Sequence, residues 1–348
     1  MDMAGWCWRL LAIGALLYFG GKFVLHLSLV FIPLLTALLL TSLLAPITTR
    51  LKRAGASRGV ATLVTMLVAI GVIGGVGAFV VNRAAVGYPQ LVDQISELVT
   101  KTQSWLETGP LNLDHASVTS LGDKFVVFLR ERQNEIATGA IQATRTVAEV
   151  LTGAILTIFL TIFMVYDGDR IWAWIARLFP PSQRERANNA AEQMWQTLAG
   201  YVTGTFAVAT FHGVVMGITL WVVGVPLVAP LALLIFVGSF IPLIGVTVFG
   251  GLAVLVTLVS NGWLDAVIVL VVLIVEQQIE GHALQPLIVG RYVRLHPMVI
   301  ALTLTAGAVL AGLAGAIFAV PLVAAVNAAI KSWRHELPVP DPIPDRGG

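Results

Sequence analysis

Two glutamates four residues apart, Glu276 and Glu280, stand in aliphatic sequence where a charge is costly. Leu264–Val275 ahead of them is almost wholly aliphatic, and Met298–Ile330 behind carries no charge until Lys331. A helix entering a bilayer at Leu264 rises ~1.5 Å per residue, which puts Glu276 about 18 Å in and Glu280 about 24 Å in. The hydrocarbon core is roughly 30 Å thick, so both carboxylates are expected at membrane depth. Each costs on the order of 2.5–3.5 kcal/mol there unless it is paired, protonated or wet. Their spacing sets them on one helical face with Gln277 beside them. Gly281, Pro286, Gly290 and Pro297 then interrupt the helix repeatedly. Irregular polar backbone at that depth is tolerated only where protein buries it or where it lines a cavity. The chemistry on offer is reversible binding. Glu280, with Glu276 as second candidate, is the expected protonatable group, and Gln277, Gln278 and Gln285 offer hydrogen bonds to a hydroxylated solute. Arg291 and Arg294 are cations that pair with the carboxylates or attract anionic solutes, although snorkelling to the interface accounts better for Arg294.

The composition supplies the setting. Hydrophobic residues make up 57% of the 348 and charged residues only 11%, with a mean hydropathy of +0.88. A soluble domain carries about 25% charge, so the expected class is all-α and polytopic in a membrane. The net charge of +2 comes with no basic run or aromatic-interleaved patch, so nucleic acid is not an expected partner. Cys7 is the only cysteine, which excludes a disulfide within the chain. The six histidines show neither HxxxH spacing nor a companion cysteine pair, so no structural metal or other cofactor is expected.

In chain order, about eight transmembrane helices are expected. Trp6–Leu25 is the first, and a span following at once from Leu27 argues against a cleaved signal peptide. The linker Pro46–Gly59 holds Arg50, Lys52, Arg53 and Arg58 and no acidic residue, which makes it and the amino terminus cytoplasmic by the positive-inside rule, and Lys331 and Arg334 do the same for the carboxyl terminus. Val60–Val81 closes the amino-terminal group, residues 1–81. Residues 82–149 are the one sizeable polar region, read as a small external insert that begins as an amphipathic helix and breaks at Gly109-Pro110. Residues 150–198 hold a fourth span, a turn at Tyr166–Arg170, and an arginine- and tryptophan-rich interfacial segment divided by Pro180-Pro181. Asp167 and Asp169 are adjacent at one helix end and so lack the face-to-face geometry of paired aspartates.

Residues 199–336 form the expected transport core, with broken and re-entrant helices. His212 lies alone in the fifth span and is taken as hydrogen-bonded packing ahead of a proton carrier. Leu231–Val259 is long enough to cross but is broken at Gly238–Gly245, where Pro242 lacks an N–H. Broken helices are how transporters present helix ends to a substrate or ion. Met298–Ile330 is too long for one simple span, and Gly307, Gly312, Gly315 and Pro321 make it pliable. Residues 337–348 are Pro-, Asp- and Gly-rich and are expected to be disordered.

Three runs carry a resemblance to a known family. FIPLIG at Phe240–Gly245 resembles the Ile-Pro-x-x-Gly break of the AI-2E transporter family, whose name refers to export of the quorum signal autoinducer-2. QQIEGHALQPLIVGRYVRLHP at Gln277–Pro297 resembles its Glu-x-x-x-Leu-x-Pro, Gly and Leu-His-Pro signature. GLAGAIFAVPLVA at Gly312–Ala324 resembles its glycine-rich end before a helix proline. The order of elements agrees over nearly the whole chain. The resemblance implies a multi-spanning transporter of the cytoplasmic membrane, homo-oligomeric, with a pentamer as the candidate assembly. It carries the family's motif positions onto Ile241-Pro242-Leu243-Ile244-Gly245, Glu280, Pro286, Gly290 and Leu295-His296-Pro297. Gly238 belongs with the same break. His282 departs from the pattern, which more often has asparagine there.

Secondary-active export of a small polar solute resembling autoinducer-2 is the leading functional expectation, with no ATPase of its own, since GxxxxGK[ST] is absent. A sodium- or lithium-proton antiporter is the alternative within transport, its partners a monovalent cation and the proton. An oligomeric scaffold or sensor working through the external insert is the alternative of another class. HExxH and GxSxG are also absent, so an enzyme is not expected.

Overall fold

A computed structural model describes residues 27–108, 143–241, 244–289 and 295–334. All of its regular structure is helical among these residues. The helices are α1 (Ser28–Arg53), α2 (Arg58–Thr108), α3 (Ala143–Ala176), α4 (Arg184–Val223), α5 (Val228–Gly238), α6 (Gly245–Asn261), α7 (Trp263–Ile279) and α8 (Pro297–Trp333). A ten-residue π-helix, Glu280–Val289, continues α7, and a short 3₁₀ turn, Pro181–Gln183, precedes α4. Among the described residues six helices are long and apolar enough to cross a membrane: α1, α2, α3, α4, α7 with its π extension, and α8. The all-α polytopic expectation holds. The expected first span, the tail after Leu337 and the break at Gly109-Pro110 lie outside the described residues.

Apolar side chains cover much of the outside of these helices, as lipid-facing sequence should. Leu63, Leu67, Ile73 and Val81 of α2 are all more than half exposed. Hydroxyls that a soluble protein would give to water are satisfied here by the backbone of their own helices. Thr36, Thr49, Thr157, Thr161, Thr210 and Thr257 each donate to the carbonyl four residues back. α2 contains 51 residues, about 76 Å of helix, so the third span runs without a break into the start of the polar region. The expected turn at Tyr166–Arg170 is instead a kink inside α3 at Asp167, whose carboxylate is 3.1 Å from Arg170 one turn on. The stretch after Pro180-Pro181 is the first half of α4, and the Trp172 indole ties it to the end of α3 by donating to the Asn188 carbonyl oxygen at 3.0 Å.

The chain forms two compact units. One contains the described residues of 1–67, 148–203 and 289–348. Its core joins Leu198, Tyr201 and Val202 of α4 to Val320 and Ala325 of α8, with Leu38, Leu39 and Leu43 of α1 packed against them. Thr48 of α1 and Thr65 of α2 meet at 3.2 Å. α8 is two helices in one assignment: the backbone reverses at Ala311 and Gly312, where Gly312 takes φ +59. Gly307 and Gly315 then lie backbone against backbone, with Ala319 over Gly307. In a straight helix Gly307 and Ala319 would be about 18 Å apart. The expected pliable point is therefore a full reversal, and glycine is needed because a side chain at either position would strike main chain.

The other unit contains the described residues of 68–147 and 204–288. Its core takes Met216 and Leu220 from α4, Leu231 and Ile235 from α5, Val246, Ala253 and Val256 from α6, and Val269 and Leu273 from α7. α5 and α6 have 11 and 17 residues, about 16 and 25 Å, and neither spans a hydrocarbon core of roughly 30 Å. They pack on one another, and Gly238 and Gly245 meet backbone to backbone at the break between them. Asn261, the last residue of α6, donates to the carbonyl of Val223, the last residue of α4, at 3.0 Å. The chain leaving α4 has thus returned to its starting level by the end of α6. Leu231–Val259, expected as one broken crossing, is a re-entrant hairpin. A crossing would have separated those two ends by the thickness of the bilayer.

Gly245→Ala tests the hairpin, since its Cβ would enter the space of the Gly238 carbonyl. Destabilisation of about 1–3 kcal/mol is expected, read as a lower unfolding temperature in detergent. Gly251→Ala in the same helix, where a Cβ meets nothing, should leave that temperature unchanged or slightly raised.

Candidate functional site

The hairpin unit holds a fully buried imidazole between two carboxylates. His212 projects from α4 toward α7, with its Nδ1 3.2 Å from Glu276 Oε2 and its Nε2 3.1 Å from Glu280 Oε2. His212 is completely buried and the Glu276 side chain is 2% exposed, while that of Glu280 is 20% exposed. Sequence spacing accounts for half of this geometry: residues four apart on α7 face the same way and can grip one ring from both sides. Packing accounts for the rest. Gly213 and Gly217 of α4 lie against Phe236 and Ala232 of α5, and Gly250 of α6 lies against Leu273 of α7. Small residues at these contacts bring α4 and α7 within reach of one imidazole.

The π-helix finishes the site. Gln285 Nε2 donates to Glu280 Oε1 at 3.2 Å, a contact between residues five apart. On an α-helix residues five apart point about 140° away from each other. The wider π turn, bonded i to i+5, brings them over one another. The same turn carries Gly281 and Pro286, which the sequence reading took as helix interruptions, without ending the helix. Gln277 donates to Thr247 Oγ1 at 3.2 Å and so joins α7 to α6. Gln278 is exposed, and its carbonyl accepts from His282 Nδ1 at 3.0 Å.

The remaining expected positions divide by place. Gly238 and Gly245 form the base of the hairpin. His296 caps α8 by accepting from the Met298 N–H at 3.2 Å, and Pro297 takes the first helical position, where its missing N–H costs nothing. Pro242, Gly290 and Arg291, with Arg294, lie outside the described residues. The sequence gives no sign of Thr247, and it marks His212 as hydrogen-bonded packing without naming the two glutamates as its partners. A signal for His212 exists in the sequence, because a polar side chain in an apolar helix requires a partner and Glu276 and Glu280 required one too. Nothing in the sequence says that these needs answer one another across more than 60 residues.

One atom of the site stands apart. Glu276 Oε1 is buried and has no hydrogen-bond partner among the described residues. Its sister oxygen is engaged by His212, and both oxygens of Glu280 are engaged, by His212 and Gln285. Leaving a charged acceptor unsatisfied in an apolar setting is costly, so such an atom is suited to hold a proton or a small cation. Among the described residues no group of three or more His, Cys, Asp or Glu side chains has the geometry of a metal site.

Comparison with known sequences agrees with this membrane architecture. A family model described as AI-2E family transporter matches residues 9–335. The chain belongs to that family. A "Putative transport protein" of Mycobacterium tuberculosis is 39% identical over 332 residues, covering 94% of this chain and 89% of the relative. The "Putative transport protein YrrI" of Bacillus subtilis is 31% identical over 316 residues, 88% of this chain and 87% of its own. A "Sodium-lithium/proton antiporter" of Halobacillus andaensis is 25% identical over 362 residues, with 95% and 97% covered. The protein is thus a multi-pass membrane protein of a transporter family.

His212→Ala would leave two carboxylates facing each other without the ring that both of them contact. A loss on the order of 3–5 kcal/mol is expected from breaking such a buried pair, measured by thermal or denaturant unfolding in detergent. Adding Glu280→Gln to His212→Ala should recover part of that loss, because the repulsion it relieves exists only in the single variant.

Proposed function

We propose that this AI-2E family member is a secondary transporter that exchanges protons for a monovalent cation, with Glu276, His212 and Glu280 as the coupling site. The observation that carries this reading is the unpartnered, buried Oε1 of Glu276 beside an otherwise satisfied ion-pair cluster. Ionisable groups within membrane helices that face protein are the usual components of proton and ion pathways. The antiporter name of the Halobacillus andaensis relative is in keeping with this choice. Export of a small polar solute would draw on Gln277, Gln278 and Gln285. Two of these are committed to protein, Gln277 to Thr247 and Gln285 to Glu280, which favours an ion over a hydroxylated solute.

The same reading puts the protein in the cell (cytoplasmic) membrane with both termini inside. The basic end of α1 at Arg50, Lys52 and Arg53, and the end of α8 at Lys331, support that orientation. It also takes the protein as a homo-oligomer, with a pentamer as the candidate. The apolar faces left exposed on α2 supply surface for lipid or for a second copy.

Proton movement in proteoliposomes, followed with a pH dye during pulses of sodium, lithium and potassium, tests the function. A signal with at least one cation is expected, reduced at least tenfold in folded Glu276→Gln. Proton movement indifferent to every cation would overturn the exchange reading in favour of solute export. For orientation, a cysteine at Lys101 in a Cys7→Ser background should react with a membrane-impermeant maleimide from outside intact cells. Labelling only after lysis would reverse the topology.

A further inference from the structure

The coupling site has a fixed proton count. Each of the two His212–Glu contacts joins a ring nitrogen to a carboxylate oxygen, and each needs one hydrogen between its heavy atoms. Two hydrogens on the imidazole make it an imidazolium between two carboxylates, with a net charge of one negative. Moving either hydrogen onto its glutamate changes the location of charge and leaves the total the same. The ring has no further nitrogen, Glu280 Oε1 already accepts from Gln285, and Glu276 Oε1 alone has no partner among the described residues. Of the other titratable side chains on these elements, His282 is exposed and turned to the Gln278 carbonyl, and Asp265 lies in the first turn of α7, at the opposite end from Glu276.

Building on the exchange reading, we propose that Glu276 Oε1 is a single seat taken in turn by one proton or one sodium or lithium ion. The exchange is therefore one for one and electroneutral. With either occupant the cluster sums to zero, and with neither it carries one negative charge. Moving that uncompensated charge through an apolar protein interior is far costlier than moving a neutral cluster. The empty site therefore stays where it is, and the loaded site moves. One positive charge leaves for each that enters, so a cycle moves no net charge across the membrane. His212 is a positioning residue in this scheme. It holds both carboxylates and supplies the shared hydrogen whose positive charge keeps the count at one instead of two.

The decisive measurement is the null point of exchange in proteoliposomes whose membrane potential is set by potassium and valinomycin. A fixed pH gradient is imposed, and the opposing sodium gradient that stops proton movement is found with a pH dye. The null is expected at equal gradients of the two ions, and at the same gradient whether or not a potential of about 100 mV is applied. A net charge per cycle would displace the sodium gradient at the null about 50-fold at 100 mV. That displacement would overturn the proposal and leave exchange itself intact, whereas a lack of cation-dependent proton movement would bring down the reading beneath it. Thermal unfolding in detergent tests the seat separately. Sodium or lithium in place of choline should raise the unfolding temperature of the wild-type protein, since a ligand that binds only the folded state stabilises it. Glu276→Gln should lose that rise, and an undiminished rise in this variant would move the seat elsewhere.

Discussion

Charge in an apolar interior has to be compensated, and in this chain the compensation runs through one imidazole. His212 answers two carboxylates at once, both within 3.2 Å. Most of the unit around it can be read as what that contact requires. α4 must approach α7, so its close contacts with α5 are made at Gly213 and Gly217. α7 must be held in register, which Leu273 against Gly250 and Gln277 against Thr247 achieve. Glu280 must present one oxygen to His212 and satisfy the other, and the π turn supplies Gln285 for that purpose.

The backbone obeys the same rule as the side chains. A helix end within a membrane leaves unpaired carbonyl and amide groups, which are tolerable only when protein covers them. The α5–α6 hairpin and the reversal within α8 solve this alike, by bringing two glycines into main-chain contact: Gly238 with Gly245, and Gly307 with Gly315. Each unit thus contains helix that doubles back instead of crossing. Such doubled-back helices allow a transporter to carry polar groups at depth without exposing them to lipid.

The sequence on its own determined the class of the protein and the location of its expensive residues. Charge scarcity, long aliphatic runs and the basic linker at Arg50–Arg58 specify a helical membrane protein, because a continuous apolar run of span length satisfies its own hydrogen bonds in lipid only as a helix, and a barrel strand would be shorter and alternate with polar residues. The spacing of Glu276 and Glu280 fixed their shared face, since the period of an α-helix is a local property. The glycine positions marked where helices would bend, and both reversals occur at them. What spacing could not give was direction and partnership. Leu231–Val259 is long enough to cross, and only the return of Asn261 to Val223 shows that it does not. The glycines and proline after Glu280 read as breaks, yet the chain passes through Gly281 and Pro286 as a π-helix, whose i to i+5 bonding shows no signature in composition. His212 read as packing because its partners lie 64 and 68 residues away. Pairing between helices depends on which faces meet, and that is set by close approach at small residues summed over several helices. A linear sequence records the need of each buried charge for a partner; only the packed helices decide which partner it finds.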